Sequence, residues 1–411
     1  MNIVYGTLIL HANLQYAEIP KSEIPNVVNR SYIPVISELI DKPKVQVAFN
    51  FTGVTLEILS NEYHEVIDLL KEGIKKKKFE LTGCGYSHPI LPLLPTNDIK
   101  KQIEYNEAVL KDVLNYKPTG FWLPELAYDP TLPKILKEYG YSYIFIDDDL
   151  YCNSEELKNI ANPYNYLRPN LEAFISEFLK TKSLVKKFFQ FIKIKKEILD
   201  RCKKQDFYPV ELKGVGDTIT GIRAPRAWFV LTYSALMNYP TININTIKKM
   251  LSYQKNKNGL IVLYAMDLEF FGYRSYIDGH LVDHKDLGNM LSKLAKNDEF
   301  KLILPSDYLQ KFKPKKIGYM RTGSWAPYGS LDIWTKDEDN KKLERLCEDV
   351  RMYLNHLPPS EEKEKIWKLL LLAENSDGRG WDPIPERRLD CFSYVVKALN
   401  RAKKVYEYTI L

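Results

Sequence analysis

The chain has 411 residues, 45% of them hydrophobic and 27% charged, with a formal net charge of +6. That is long enough for one large domain and a smaller one, and it excludes an intrinsically disordered chain. The charge is small for this length and is diluted by 53 acidic residues, so it gives no reason to expect a nucleic-acid partner.

The opening MNIVYGTLILHANLQYAEIP has no basic leader, and Gly6 breaks its apolar run. Ile3–Leu10 therefore reads as a buried strand and not as a signal peptide. Tyr32–Ile40 reads as a helix and Val45–Phe51 as a second strand. Glu62–Lys76 has helical spacing, with Val66, Leu69, Leu70 and Ile74 on one face. Phe79–Cys84 is a third strand, Asp98–Leu114 a helix, and Gly120–Leu123 and Tyr143–Ile146 two more strands. Ile219–Ile222 reads as a short extended piece, and Leu260–Met266 and Lys301–Leu304 complete the series. Such alternation implies an α/β fold with a mostly parallel sheet and helices outside it. The strand count fits a closed barrel better than a dinucleotide-binding sheet, and neither G-x-G-x-x-G nor G-x-x-x-x-G-K-[ST] occurs. Gly214-Val215-Gly216 reads as a turn.

Residues 151–212 interrupt the alternation. Within them Leu184–Lys204 is a basic helix with an apolar stripe, expected to pack Phe188, Phe191, Ile192 and Ile198 on the body and leave its lysines in water. After residue 330 the pattern is wholly helical, in three segments around Leu343–Leu354, Ile366–Ala373 and Leu389–Leu399, the second starting at Ser360. The expected organisation is a catalytic barrel over 1–310, with its insert, and a helical region over 311–411 that completes the cleft. Later apolar runs such as Leu369–Ala373 are far short of the roughly 20 residues a membrane helix needs. The five cysteines show no Cys-x-x-Cys spacing, which fits reduced thiols in a cytoplasmic protein. Abundant Tyr and Lys fit a thermophile.

In barrels of this class chemistry sits at the C-terminal strand ends. The first strand ends in His11-Ala12-Asn13-Leu14-Gln15, whose alternate polar residues point one way. Glu80 lies early in an apolar run, where a carboxylate needs a partner or a task. Pro124 ends the fourth strand, which puts Glu125 at the rim beside Trp122. An aromatic face next to a carboxylate suits a sugar ring. In VLYAMDLEFF an extended chain would turn Asp267 and Glu269 to one face, where like-charge repulsion from Glu269 would raise the Asp267 pKa. An ion pair with Arg274 or Arg223 is the competing structural reading. Glu374–Asp382, with Asp377 and Trp381, and Gly323-Ser324-Trp325 are glycine-bearing tryptophan loops of the kind expected around a sugar cleft. Two carboxylates on different strand ends, Glu125 and Asp267, suit glycoside cleavage. A separation of ~5–5.5 Å would give retention and ~6.5–9.5 Å inversion.

These segments resemble glycoside hydrolase family 57. His11 corresponds to the first-strand histidine, with His-Ala-Asn in place of the usual His-Gln-Pro, and FELTGCGYSHPILPLLP to the second motif through Glu80. WLPELAYDP resembles the nucleophile motif and puts Glu125 in that role. YAMDLEFFG resembles the acid/base motif, with Asp267 as acid/base and Glu269 as a neighbouring sugar binder. ENSDGRGW resembles the last motif, where Asp377 and Trp381 complete the site. The resemblance implies an incomplete (β/α)7 barrel with a C-terminal helical region, and a retaining mechanism by double displacement without metal or other cofactor. The substrate would be an α-linked oligosaccharide or polysaccharide. The family's activities include α-amylase, 4-α-glucanotransferase, branching enzyme, amylopullulanase and α-galactosidase, and the opening HANLQYAEIP looks most like its compact archaeal members, some associated with α-galactosidase.

Two rival readings differ in class. One is a metal-dependent polysaccharide deacetylase, drawing on Asp147-Asp148-Asp149 and on His280 with His284. The other is a non-catalytic glycan-binding protein. Transfer in place of hydrolysis is a third possibility, and it depends on how well the site excludes water.

Overall fold

The computed structural model describes residues 3–157, 180, 184–204, 206–237, 242–255, 257, 259–274 and 281–410. Its strands are β1 (Val4–Ala12), β2 (Val47–Phe51), β3 (Phe79–Thr82), β4 (Gly120–Phe121), β5 (Tyr143–Asp147), β6 (Val210–Lys213), β7 (Thr218–Ala224), β8 (Leu260–Asp267), β9 (Phe300–Leu302) and β10 (Ile317–Gly318). They form two sheets, β3-β2-β1-β8 with β9 also on β1, and β10-β6-β7-β5-β4. A parallel bridge between Gly83 and Phe121 joins β3 to β4.

The strands β8-β1-β2-β3-β4-β5-β7 thus run in one order and all parallel. The β7 strand lies beside β8, with no ladder between them among the described residues. This is the opened, seven-stranded α/β arrangement expected from the alternation of elements. Helices cover it because the strands are buried on both sides: every residue of β2, β3 and β5 is buried. β6 pairs antiparallel with β7 across the Gly214–Gly216 turn, where Gly216 has φ +88°.

Parallel pairing brings the strand C-termini to one rim. His11 on β1 is in register with Asn50 on β2 and with Asp267 on β8. Register alone therefore sets three polar side chains in a row.

Helix Leu184–Lys204 does not present its apolar residues quite as expected. Ile198 is buried, whereas Ile192 is 48% exposed. Six residues amount to ~600° of helical rotation, so these two cannot share a face, while Ile194 and Ile198 do. The side chains of Phe188 and Phe191 lie outside the described residues.

The C-terminal part forms three long helices, Glu338–His356, Glu361–Ala373 and Pro385–Ile410. Ser360 caps the second by accepting from the Lys363 N–H. Arg351 ties the region to helix Thr96–Leu114, donating to Asp98 (2.5 Å), Glu344 (2.6 Å) and Glu374 (3.0 Å). Among the described residues no helix is long and apolar enough to cross a membrane.

Candidate active site

A cavity of about 570 Å³ opens at the strand rim. Of the residues singled out from the sequence, His11, Trp122, Glu125, Asp267, Trp325 and Trp381 line it.

Glu125 sits in a 3₁₀ turn at Pro124–Leu126 with φ 56°. Pro124 opens this turn three residues beyond the end of β4, so the expected strand through Leu123 is shorter than its apolar run. Left-handed backbone is costly for a residue with a side chain, by about 1–3 kcal/mol. His88, Glu125, Leu126, Trp381 and Asp382 all have positive φ, and all five line the cavity. Such clustering marks a place where the fold holds groups against their local preference.

Two indoles fix the Glu125 carboxylate. Trp325 Nε1 donates to Oε2 at 2.7 Å and Trp381 Nε1 donates to the same oxygen at 3.1 Å. The two rings stack with centroids 4.8 Å apart. The Trp325 loop is itself clamped to this segment by the Tyr128–Gly323 bridge. Burial pushes the Glu125 carboxyl up to about 7, while the charge of His88 and the Trp325 N–H pull it down and Asp377 and Asp267 push it up.

Asp267 closes β8 and is buried, and its Oδ2 has no hydrogen-bond partner. Burial raises its pKa above the usual carboxylate range, against the pull of Arg274 and a hydrogen bond with Tyr16, with Asp377 adding to the rise. Arg274 donates to the Tyr16 hydroxyl at 2.9 Å and lies 3.9 Å over that ring. Of the arginines considered as ion-pair partners, Arg274 forms its salt bridge with Glu18 (3.3 Å) and acts on Asp267 through its charge, and Arg223 pairs with Asp148 (2.5 Å).

Glu269 behaves differently from the sequence expectation. The strand ends at Asp267 and Leu268–Phe270 is a 3₁₀ turn, so the two-residue alternation is broken. Glu269 does not line the cavity. It is fully buried behind it, accepting from the Asn13 N–H (3.0 Å) and from the Tyr32 hydroxyl. The two acids repel each other: burial and then the Asp267 charge push Glu269 up to about 8.

Glu80 is likewise absent from the cavity wall. It accepts from Tyr143 (2.5 Å) and from the Ser306 N–H and hydroxyl (3.1 and 2.9 Å), which makes it a tie between β3, β5 and helix Pro305–Lys311. Asp377 stands one layer back. It accepts from Asn13 Nδ2 (2.7 Å) and the Ala17 N–H (3.2 Å) and lies 3.1 Å from His88 Nδ1. Gln15 accepts from Asn375 at 3.0 Å, so the alternate polar residues after β1 serve to dock the Glu374–Asp382 loop.

His11 Nδ1 is 2.8 Å from Asn50 Oδ1, and its ring stacks on His88 at 4.4 Å. The Nε2 atoms of His11 and His88 and the Nε1 of Trp122 are buried without partners, and all three residues line the cavity. Burial, then the neighbouring His88, holds His11 well below its ordinary value. For His88 burial works downward, but the hydrogen bond and charge of Asp377 outweigh it, so its pKa is raised. His88, Tyr16, Arg226 and Arg274 were not singled out as site residues from the sequence. His88 carried one signal, its place in the Glu80 segment after Gly85.

Asp148 and Asp149, considered above as metal ligands, are engaged by Arg223 and Arg201. His280 lies outside the described residues. Among those described, no three His, Cys, Asp or Glu side chains are grouped to hold a metal ion.

The profile of glycosyl hydrolase family 57 matches residues 6–321. The chain belongs to this family. It is 24% identical over 320 residues to an α-amylase of Pyrococcus horikoshii, covering 78% of this chain and 42% of that one. To a 4-α-glucanotransferase of Thermococcus litoralis it is 24% identical over 322 residues, covering 77% and 40%. The chain thus spans about two fifths of the length of these relatives. The crystal structure of 4-α-glucanotransferase from Thermococcus litoralis superposes with a TM-score of 0.74 at 19% identity, over 97% of this chain and 60% of that one. A family 57-type branching enzyme from Pyrococcus horikoshii gives 0.66 at 15% identity, over 99% and 88%. These likenesses fix the α/β barrel-type fold of the family.

Proposed function

We propose that this family 57 chain is a retaining enzyme acting on α-linked glucosyl units, with Glu125 as nucleophile and Asp267 as acid/base. The carrying observation is the pair of buried carboxylates on one cavity, each with its own partners. Glu125 Oε2 accepts two indole N–H groups, which work toward its ionised form against the burial that raises it, while Asp267 keeps one oxygen without a partner in a buried setting that raises it too.

In the first step the Asp267 carboxyl gives its proton to the glycosidic oxygen as a Glu125 oxygen bonds to the anomeric carbon and the leaving group departs. In the second, the Asp267 carboxylate takes a proton from water or from a sugar hydroxyl. The resulting nucleophile displaces Glu125 and restores the α-configuration. Water gives hydrolysis, a sugar hydroxyl gives transfer. Trp122 Nε1 donates, His88 Nε2 donates when its ring is protonated, and His11 Nε2, opposite the Nδ1–H that faces Asn50 Oδ1, accepts, so the three orphaned nitrogens suit hydroxyls of the reacting ring.

Glucans are favoured over α-galactosides because the relatives compared carry α-amylase and 4-α-glucanotransferase names. Transfer is retained as the second reading on the strength of the glucanotransferase and branching-enzyme likenesses. Residues 1–310 would supply the carboxylates, and 311–411 the Trp325 and Trp381 loops over them, in a cytoplasmic protein.

The test is product analysis with malto-oligosaccharides, an aryl α-glucoside and an aryl α-galactoside. Turnover of the glucosides with retention, lost in Glu125→Gln and Asp267→Asn, supports the reading. Free glucose or maltose marks a hydrolase and shuffled chain lengths a transferase. Turnover that persists in Glu125→Gln sinks the assignment, and preference for the galactoside sinks the sugar.

A further inference from the structure

One cation on the cavity wall has no part in the chemistry derived above. Arg226 lines the cavity, follows Pro225 and opens helix Arg226–Leu236. That is a poor place for a positive charge, since the first turn of a helix is itself positive. Two aromatic faces receive it there. Its guanidinium lies 4.4 Å over the ring of Phe229, one turn on, and 4.6 Å over the ring of Trp325. Its Nη1 is 3.6 Å from the sulfur of Met266, the residue before Asp267. Ala224, two residues before it, is in register with Asp147, which also lines the cavity.

Trp325 is the residue whose Nε1 donates to Glu125 Oε2 at 2.7 Å, the shorter of the two indole bonds to that oxygen. A cation over an indole face draws on the π electrons of the ring. The N–H at the ring edge then becomes more positive and a better donor, as linked polar groups polarise one another. The gain is larger when the acceptor is a carboxylate than when it is a carboxylic acid, because bonds to charged oxygens are the stronger ones. The guanidinium and the Trp381 ring, stacked on Trp325 at 4.8 Å, also leave the indole little freedom to turn its N–H away.

We propose that Arg226 is a positioning residue for Glu125, acting through the Trp325 indole to aim and strengthen the hydrogen bond that holds the carboxylate. Its effect on rate rests on the nucleophile role given to Glu125 above, whereas its effect on Glu125 itself does not. Among the described residues, Asp147 and Tyr264 face Arg226, and His88, Asp377, Asp267 and Tyr16 face Glu125. All of them are kept in the variants below.

The test is NMR of the full chain carrying isotope-labelled tryptophan. The Trp381 indole also donates to Glu125 Oε2, at 3.1 Å, so its N–H signal follows the ionisation of Glu125 with or without Trp325. The midpoint should move up by about half a pH unit in Arg226→Gln and recover most of that in Arg226→Lys. With Trp325→Phe already in place, Arg226→Gln should add less than about 0.2 pH unit. Arg226→Met carries the same expectation if the glutamine variant folds poorly. An unmoved midpoint in both neutral variants overturns the proposal. So does an equal displacement with and without Trp325, since the charge would then act directly on Glu125. The acid limb of kcat/KM on malto-oligosaccharides should follow the midpoint, with activity at pH 6 down about threefold and little changed above pH 8. If the midpoint moves and the limb does not, the nucleophile reading falls and the link from Arg226 to Glu125 stands.

Discussion

The Glu125 carboxylate is held by a short, countable set of groups, so its titration is open to test. Its pKa of about 7 comes first from burial, opposed by His88 and the Trp325 indole. In the proposed role of nucleophile Glu125 must be ionised, so the acid limb of kcat/KM should rise with pH through about 7. A hydrogen bond to a charged group contributes about 1.5 kcal/mol or more. Trp325→Phe keeps the ring and removes the donor. It should therefore carry the acid limb to higher pH, with activity at pH 6 down about tenfold and a smaller loss above pH 8. A pH profile displaced downward, or a loss equal at all pH values, would refute the role of the indole. The two carboxylates are separable in the same way. An aryl glucoside with a good leaving group needs no proton in the first step. Asp267→Asn should then still release the aryl alcohol in a rapid burst, with steady turnover reduced about 10²–10⁴-fold, and azide should restore the second step. Glu125→Gln should show neither burst nor rescue.

At the scale of elements, what was legible in the sequence is what repeats. Strands β1, β2, β3, β5 and β8 stand within a residue or two of their apolar runs, because each run is strongly apolar and almost wholly buried. Strands β6 and β10 escaped notice. Val210–Lys213 reads apolar-charged-apolar-charged at a sheet margin, and Ile317–Gly318 is too short for any period. Helix Gly53–Glu62 was also missed, since GVTLEILSNE opens with β-branched residues and its start depends on Thr52 accepting from the Thr55 N–H. The carboxylates Glu125 and Asp267 were visible as acidic residues ending strongly apolar runs. The burial of Glu269 was not, because a 3₁₀ turn after β8 changes which way a side chain points and leaves no mark in residue type. Arg351 is another contribution that only the tertiary structure exposes. It bridges buried Asp98 and Glu374, and Glu374 opens the loop that carries Asp377 and Trp381. Arg351→Met strands the Asp98 carboxylate and the Glu374 carboxyl hydrogen-bonded to it, and breaking such a buried pair costs about 3–5 kcal/mol. Chemical denaturation should register a loss of that order, with the Trp381 environment changing before the barrel unfolds. A loss under 1 kcal/mol would mean that Gln102, which donates to Glu374 at 3.0 Å, suffices alone.

For the whole molecule, the buried acids set stability against the proposed catalysis. Glu125 and Glu269 keep their protons in the fold to about 7 and about 8, against an ordinary carboxyl value of 4.5. Between pH 4.5 and 8 the native state therefore binds more protons than the unfolded chain. Stability is then greatest at the acid end and falls as pH rises through the folded values. Glu344 works in the opposite sense: burial pushes it up, but Arg379 and Arg351 outweigh that and hold it below its ordinary value, so its contribution is lost only as pH falls below 4.5. The Tm should consequently pass through a maximum near pH 4.5–5 and decline toward pH 8, across the range in which Glu125 ionises and the proposed activity should rise. Glu269 lies outside the cavity, so its share can be removed without touching the cavity wall. Glu269→Gln keeps a carbonyl oxygen to accept from Asn13 and Tyr32 and cannot ionise. Its Tm should match the parent near pH 4.5 and exceed it increasingly toward pH 8, flattening the curve. Parallel curves for the two proteins would show that Glu269 is ionised in the fold at neutral pH, and that the charge at the end of β8 is shared differently between it and Asp267.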